Sequence, residues 1–251
     1  MKLSALVLAK NEQEMIEGCL KQLNFVDEII VLDNNSNDKT PEIAKKYADK
    51  IIKSPNDDFD YNRNLLVQEA EGEWLLFLDC DERFSGENIQ EIKSSISNLK
   101  YSAYYFPRKN FILGKWLKHG GWWPDFVPRL FRKKDFISWQ GKVHESPQVK
   151  GQIHYMEHPI DHFTARSISV MLEKTTKWAQ TEAKLRYVAG QKKVTITSIV
   201  KAMIKEFISR YFIKFGAIDG NVGLIQSLFQ SLHQAIVLTY LWELQNKQKS
   251  E

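Results

Sequence analysis

The chain has 251 residues, 43% hydrophobic and 26% charged, with two cysteines and a net charge of +4. That length admits one sizeable domain with an appendage, and two cysteines outside any Cys-x-x-Cys pair exclude a zinc ribbon or a disulfide framework. The charge is uneven: residues 1–100 carry 12 basic and 20 acidic side chains, residues 101–251 carry 23 and 11. An acidic front half and a basic rear half point to two tasks, the rear offering either a solvated basic surface or a face for an anionic partner.

In chain order, "LSALVLA" (3–9) is a short apolar run and predicts a first strand. One lysine and so short an apolar run before it turns polar do not make a signal peptide, so a cytoplasmic protein is expected. "NEQEMIEGCLKQL" (11–23) has apolar residues at helical spacing, with Asn11 as the expected cap and Glu14 in the capping-box position. "DEIIVLD" (27–33) predicts a second strand, "TPEIAKKYA" (40–48) a helix with Pro41 in its first turn, and "KIIKS" (50–54) a third strand. "DYNRNLLVQEA" (60–70) predicts a helix ended near Gly72, and "EWLLFLD" a fourth strand.

Strands alternating with helices, and strands that are nearly continuous apolar runs, mean a mostly parallel sheet covered on both faces. Ligands of such sheets bind beyond the C-terminal strand ends. Those ends are polar here: "KNE" after strand one, "DNNSND" after strand two, "DCDE" after strand four. The turn after strand one has no glycine, which excludes a dinucleotide-binding fingerprint and a sugar-activating nucleotidyltransferase loop, and no P-loop occurs. The acidic pair follows the fourth strand rather than the first, with Arg83 where an aspartate-nucleophile phosphatase wants Thr or Val.

Three stretches, "LAKNEQEMIEGCL", "EIIVLDNNSNDKTPEIA" and "NRNLLVQEAEGEWLLFLDCDE", in this order and spacing, resemble glycosyltransferase family 2 over about the first 85 residues. "YYFPRKNFILGKW", "GGWWPDFVPRLFRK", "GKVHE" and "FGAIDGNVGL" are similar to the subgroup that contains lipopolysaccharide core glucosyltransferases acting on heptose. The resemblance implies a GT-A fold: an α/β, Rossmann-like, mostly parallel sheet with helices on both faces, plus a helical C-terminal extension. The catalytic domain is expected over 1–160, with 1–85 binding the nucleotide and 101–160 on the acceptor side, and the helical region over 161–251. "DNNSND" departs from the family's more usual Ser-Gly-Ser-Thr-Asp loop but keeps Asp33, Ser36 and Asp38.

The implied activity is inverting transfer of a sugar from a nucleotide-sugar donor. A departing diphosphate needs positive charge, and a hard divalent cation, Mg²⁺ or Mn²⁺, is held by carboxylate oxygens. Period-2 alternation places Leu75, Phe77, Asp79 and Asp81 on one side and Cys80 on the other with Leu76 and Leu78. The repulsion between Asp79 and Asp81 is one that a cation would relieve. By resemblance Asp81 is the metal ligand, Asp79 contacts the ribose, Asp33 accepts from the uracil ring, Asn11 and Glu12 line the nucleoside, and Arg63 contacts the nucleotide. Inversion needs one carboxylate as general base. Glu145 in "KVHE" is the first candidate and Asp125 in "GGWWPDF" the second, while His144 is a candidate metal or phosphate ligand. Trp122 and Trp123 offer rings for stacking on an acceptor sugar, or packing between loop and core. Arg129 and Arg132 face opposite sides of a strand, so at most one enters the site.

Beyond "HPIDHFTARS" the pattern is helical. In 196–216, Ile196, Ile199, Met203, Phe207 and Tyr211 recur at helical spacing, widened by Val200, Ile204 and Ile208 and interrupted by Lys201, Lys205, Arg210 and Lys214. The charges argue against a membrane span and fit a helix lying in the interface, or one packed on the domain or in a homo-oligomer. The expected partners are a nucleotide-sugar donor, a lipid-linked or lipopolysaccharide-like acceptor and the inner face of the cytoplasmic membrane. No nucleic-acid motif occurs, so no nucleic-acid partner is expected. The competing reading is a degenerate transferase fold that serves as a nucleotide-sugar-binding or membrane scaffold.

Overall fold

The computed structural model describes residues 2–141 and 146–247. In chain order the elements are β1 (Leu3–Ala9), α1 (Ile16–Lys21), β2 (Glu28–Asp33), α2 (Thr40–Ala44), β3 (Lys50–Lys53), α3 (Phe59–Glu69), β4 (Trp74–Asp79), β5 (Glu82–Arg83) and α4 (Gly86–Ser97). Then come β6 (Ala103–Ile112), β7 (Lys115–Trp116), β8 (Phe126–Arg132), β9 (Phe136–Gln140), β10 (Ser146–Val149), β11 (Ile153–Tyr155), β12 (Ile160–Ala165), α5 (Ile168–Val188), α6 (Ile196–Ile208) and α7 (Gly220–Lys247). The chain divides into two compact units, Met1–Arg108 with Asp125–His162, and Lys109–Pro124 with Phe163–Glu251. The tryptophan-rich segment thus belongs with the C-terminal helices, and β6 and β12 each pass from one unit to the other.

The first unit carries the sheet, in the order β3-β2-β1-β4-β8-β6-β12-β5. Its first four strands are parallel. Strand β8 is antiparallel to both β4 and β6. Strict alternation explains the two faces. Leu3, Ala5, Val7 and Ala9 of β1 pack with Ile16, Cys19 and Leu20 of α1 and with Leu76, Leu78 and Cys80. Leu6 packs on the opposite face with Leu32, Leu66 of α3, Leu75, Phe77, Phe131 and Trp139. Full burial of a Leu or Phe side chain stabilises by about 1.5–3 kcal/mol, so both faces are needed to hold the sheet. Cys80 faces inward as the alternation predicts, and burial pushes the Cys19 and Cys80 thiols well up.

Register decides what meets at the C-terminal edge: Leu8 of β1 lies opposite Asp79 of β4, and Ala9 lies opposite Asp33 of β2. One local expectation is corrected there. Helix α1 starts at Ile16, its N-cap is Met15 without a side-chain bond, and Asn11 sits at φ +55°. Asn11 ties two loops together instead of capping: its N–H donates to Ser36 Oγ at 2.9 Å and its Oδ1 accepts from Asn37 N–H at 2.8 Å.

In the second unit Ala179 and Ala183 of α5 pack on Val237, Leu238 and Leu241 of α7, with Ile199 and Ala202 of α6 against them. Small residues on α5 let the helices approach closely. The regular α-helix of the predicted 196–216 segment ends at Ile208 and passes into a π turn over Ser209–Ile213. No helix among the described residues is long and apolar enough to cross a membrane.

Candidate active site

The tip of β4 is an interlocked set of charges. Asp79 Oδ1 accepts from Arg63 Nη2 at 3.2 Å, and its Oδ2 accepts from Arg129 Nη2. Arg129 also donates through Nε to Glu82 Oε2 at 2.8 Å and through Nη2 to Glu82 Oε1 at 2.7 Å. Arg108 donates to Asp125 Oδ2 through Nε at 3.0 Å and Nη2 at 2.8 Å, and its Nη1 lies 3.5 Å from Glu82 Oε1. Glu82 is fully enclosed and Arg129 nearly so. Three carboxylates thus meet three guanidinium groups, which is the condition under which such charges tolerate burial. Burial pushes the Asp79 carboxyl up, but Arg129 and then Arg63 outweigh it and hold it below its usual range. Burial pulls Arg129 down, and Asp79 and Glu82 more than reverse that.

Asp79 is thus balanced by arginines, which the sequence did not reveal, while Asp81 still acts against its charge. Arg63, expected on the nucleotide, also spends its guanidinium here, lying 4.6 Å from the Trp139 ring centroid. Asn64 fixes that tryptophan, donating to its carbonyl at 2.9 Å and accepting from its N–H at 2.8 Å. Of the arginine pair in β8, Arg129 turns into the site, while Arg132 bonds Asp135 and the Leu99 carbonyl.

Asp81 has a different neighbour. Strand β5 pairs antiparallel with β12, His162 opposite Glu82, and this brings His162 Nε2 to 3.4 Å from Asp81 Oδ1. Carboxylate and imidazole form a mixed oxygen and nitrogen donor pair. Among the described residues no group of three or more His, Cys, Asp or Glu converges to enclose a metal. A pair of that kind fits a cation that takes its other ligands from a diphosphate and water, as Mg²⁺-type sites commonly do. Sequence reasoning missed His162, along with the roles of Glu82, Arg108 and Arg129. The only signal for His162 was its place in the polar run "HPIDHFTARS".

At the neighbouring strand ends Asp33 is buried, and its Oδ1 accepts from Ser36 N–H at 3.3 Å. Asn34 Nδ2 donates to the carbonyls of Ser54 and Asn56, closing the wall beside it. Glu12 N–H donates to Thr40 Oγ1 at 2.8 Å, and Gln13 N–H to Asp38 Oδ2 at 3.1 Å. Asp38 also accepts from Thr40. Burial pushes its carboxyl up, but these bonds prevail and lower it. The edge of β1 and β2 is thus a set of crosslinked loops around Asn11, Glu12 and Asp33. The parallel register brings Asp33 and Asp79 to the same edge, with Asp81 two residues beyond. Asp125 stands in the same unit, held by Arg108. Glu145 and His144 lie outside the described residues.

Trp122 and Trp123 belong to the second unit. Trp123 meets Trp116 edge to face at 5.5 Å, and Lys118 Nζ lies 4.5 Å from the Trp116 ring. Their loop is anchored by the "FGAIDGNVGL" segment. Buried Asp219 accepts from Lys118 N–H at 3.1 Å and His119 N–H at 2.8 Å, and Lys115 Nζ donates to its carbonyl. A Cβ on Gly223 would strike the Gly216 carbonyl, so the close approach of the 3-10 turn Gly216–Asp219 to α7 requires glycine there. That accounts for two sequence motifs as a single support.

A family model described as "Glycosyl transferase family 2" matches residues 4–153. An uncharacterized glycosyltransferase of Rickettsia conorii is 26% identical over 99% of this chain and 93% of its own length. The SPbeta prophage-derived glycosyltransferase SunS of Bacillus subtilis is 32% identical over 56% of this chain and 33% of its own. Among solved structures, S. aureus TarS 1–349 in complex with UDP-GlcNAc aligns at TM-score 0.48 and 14% identity, over all of this chain and 93% of that one.

Proposed function

The chain belongs to glycosyl transferase family 2, and from that premise we infer that it moves a sugar from a UDP-sugar, with inversion, to the saccharide of a lipid-linked or lipopolysaccharide-core-type acceptor. One observation carries the reading: at the strand edge Asp79 and Glu82 are neutralised by guanidinium groups, while Asp81 faces the His162 imidazole. A frame of buried ion pairs holds the strand tip rigid and, with it, the Asp81–His162 pair.

In this reading Asp33, with Asn11 and Glu12, binds the base and nucleoside, and the Asp79–Arg63 pair meets the ribose side. Asp81 and His162 would hold Mg²⁺ or Mn²⁺, which when bound neutralises the departing diphosphate. Glu145 takes the proton of the acceptor hydroxyl while the sugar carbon is attacked from the face opposite the nucleotide. Asp125, tied to Arg108, positions the Glu82–Arg129 frame and is the second candidate for the base. Trp122 and Trp123 face the acceptor. The protein works at the inner face of the cytoplasmic membrane, attached through the apolar side of α6.

Calorimetric titration of the full chain with UDP tests the donor half. Mn²⁺ is expected to tighten UDP binding, and Asp81→Ala and His162→Ala each to remove at least about tenfold of that gain, the loss of one charge-assisted contact. UDP binding of equal strength in excess EDTA, or an unchanged Asp81→Ala, overturns the metal assignment. In transfer assays Glu145→Gln is expected to abolish turnover and keep UDP binding, whereas an active Glu145→Gln moves the base to Asp125.

A further inference from the structure

The second unit holds a cleft of about 280 Å³ that the donor chemistry does not use. Its apolar walls include Trp122, Trp178 and Phe229, and its polar walls Thr175, Gln226 and Gln230. Gln226, near the start of α7, is 5% exposed, and its side-chain Oε1 has no hydrogen-bond partner among the described residues. Buried amide oxygens are nearly always paired, so an orphan on the wall of a cleft marks where a donor from outside belongs.

The rest of the lining narrows what that donor is. An acyl chain would bring no donor to Gln226 and would strip water from Gln230, Thr175 and the His233 imidazole without replacing it. A phosphate or carboxylate would meet too little positive charge. The Lys174 ammonium is directed to the Thr164 carbonyl at 2.7 Å, and His233 Nε2 lies 3.0 Å from the Glu182 carboxylate. A neutral polyhydroxylated ring satisfies both walls, its hydroxyls pairing with amides and its C–H faces resting on tryptophan and phenylalanine. The volume is that of about nine waters at ~30 Å³ each, room for a single pyranose.

We propose that this cleft is a saccharide subsite, taking one uncharged pyranose unit of the acceptor, with Gln226 accepting from a ring hydroxyl. The unit's role as part of an acceptor rests on the transferase reading; its binding to the cleft does not.

Saturation-transfer NMR of the full chain with the methyl glycosides of glucose, galactose and mannose, followed by titration of the best binder, tests the site. At least one glycoside is expected to receive saturation on its ring protons. Gln226→Leu, close in size and lacking the acceptor, is expected to weaken that binding at least about tenfold while leaving UDP binding unchanged, and Thr175→Val to weaken it as well. Gln226→Leu is also expected to melt no lower than the parent, because it removes an orphaned group. No saturation from any glycoside overturns the subsite, as do two variants that bind the glycoside as the parent does. Displacement of the glycoside by decanoate with equal affinity in parent and Gln226→Leu assigns the cleft to an acyl chain and equally overturns it. A glycoside bound in the cleft by a protein that binds no UDP leaves the subsite standing and removes the donor reading.

Discussion

Arg129 is the residue on which the β4 tip depends, since among the described residues it alone donates to both Asp79 and Glu82. Removing Arg129 leaves Asp79 with Arg63 alone and the enclosed Glu82 with only the longer Arg108 contact, and breaking a buried ion pair in this way costs about 3–5 kcal/mol. Arg129→Leu is therefore expected to lower unfolding stability in urea by about that amount. The double variant Arg129→Leu/Glu82→Leu should recover much of the loss, because the fully buried carboxylate leaves with its partner. Arg132→Leu, three residues along β8 and bonded to Asp135 at the other face, should cost less than Arg129→Leu, because that pair keeps more contact with water. Equal losses for Arg129→Leu and Arg132→Leu would remove the network argument. The acidic half of this set was legible in sequence, because Asp79, Asp81 and Glu82 lie within four residues of a strand end. The basic half was not. Arg108 and Arg129 arrive from 26 and 47 positions downstream on strands whose antiparallel return no local pattern announces. His162 reached Asp81 by the same kind of long-range pairing.

At the scale of elements, the four parallel strands and α3 fall within one residue of their sequence-based positions, because continuous apolar runs admit few alternatives, while α2 starts at Thr40 as Pro41 requires but ends at Ala44, four residues before the expected 48. The start of α1 also departs from its expected position. A good cap residue at Asn11 was recruited to crosslink the loops of β1 and β2, and a left-handed φ there is incompatible with capping. Helix α6 shows the limit of periodicity: the spacing gave an apolar surface without saying which part is covered. Ile199 and Ala202 pack inward, while Ile196, Val200, Ile204 and Ile208 face out. The α5–α7 pair carries a pH dependence. The Glu182 carboxyl falls from its usual 4.5 to about 2, first through its hydrogen bond to His233 and then, against the cost of burial, through Arg186. A carboxyl lowered in the folded state stabilises fully above its unfolded value, and that contribution disappears as pH falls through the folded value. Unfolding stability of the parent minus that of Glu182→Gln is thus expected to be positive just above pH 4.5, and to shrink as pH falls from 4.5 through about 2. Just above pH 4.5 the difference should be on the order of 1–3 kcal/mol, since the side chain retains some water contact. A difference that does not change across that interval would mean that the His233 contact does not hold Glu182 ionised.

On the scale of the whole molecule, the asymmetry of charge acquires a surface. The basic rear half presents Ile196, Val200, Ile204, Ile208, Phe212, Ile213, Phe215 and Ile218, each 43 to 80% exposed. Lys192, Lys193, Lys201, Lys205 and Lys214 are exposed on the same segments. So many large apolar side chains in water are unusual in a folded chain and ask for a cover. Two covers are chemically distinct. A second copy would bury the apolar residues but bring the same lysines against each other. An anionic bilayer would take the side chains into its interfacial layer and draw each nearby lysine with about 1 kcal/mol, so the charge pattern favours lipid. The full chain is expected to sediment with vesicles of phosphatidylglycerol and phosphatidylcholine, to release as salt rises, and to bind pure phosphatidylcholine far more weakly. Ile204→Glu/Ile208→Glu should abolish sedimentation, and Lys201→Glu/Lys205→Glu should weaken it only on the anionic vesicles. UDP binding should be unchanged in all of them, since none of these residues belongs to the sheet edge. A protein that ignores both vesicle types and runs as a dimer by light scattering, reverting to monomer in Ile204→Glu/Ile208→Glu, would assign the face to self-association instead.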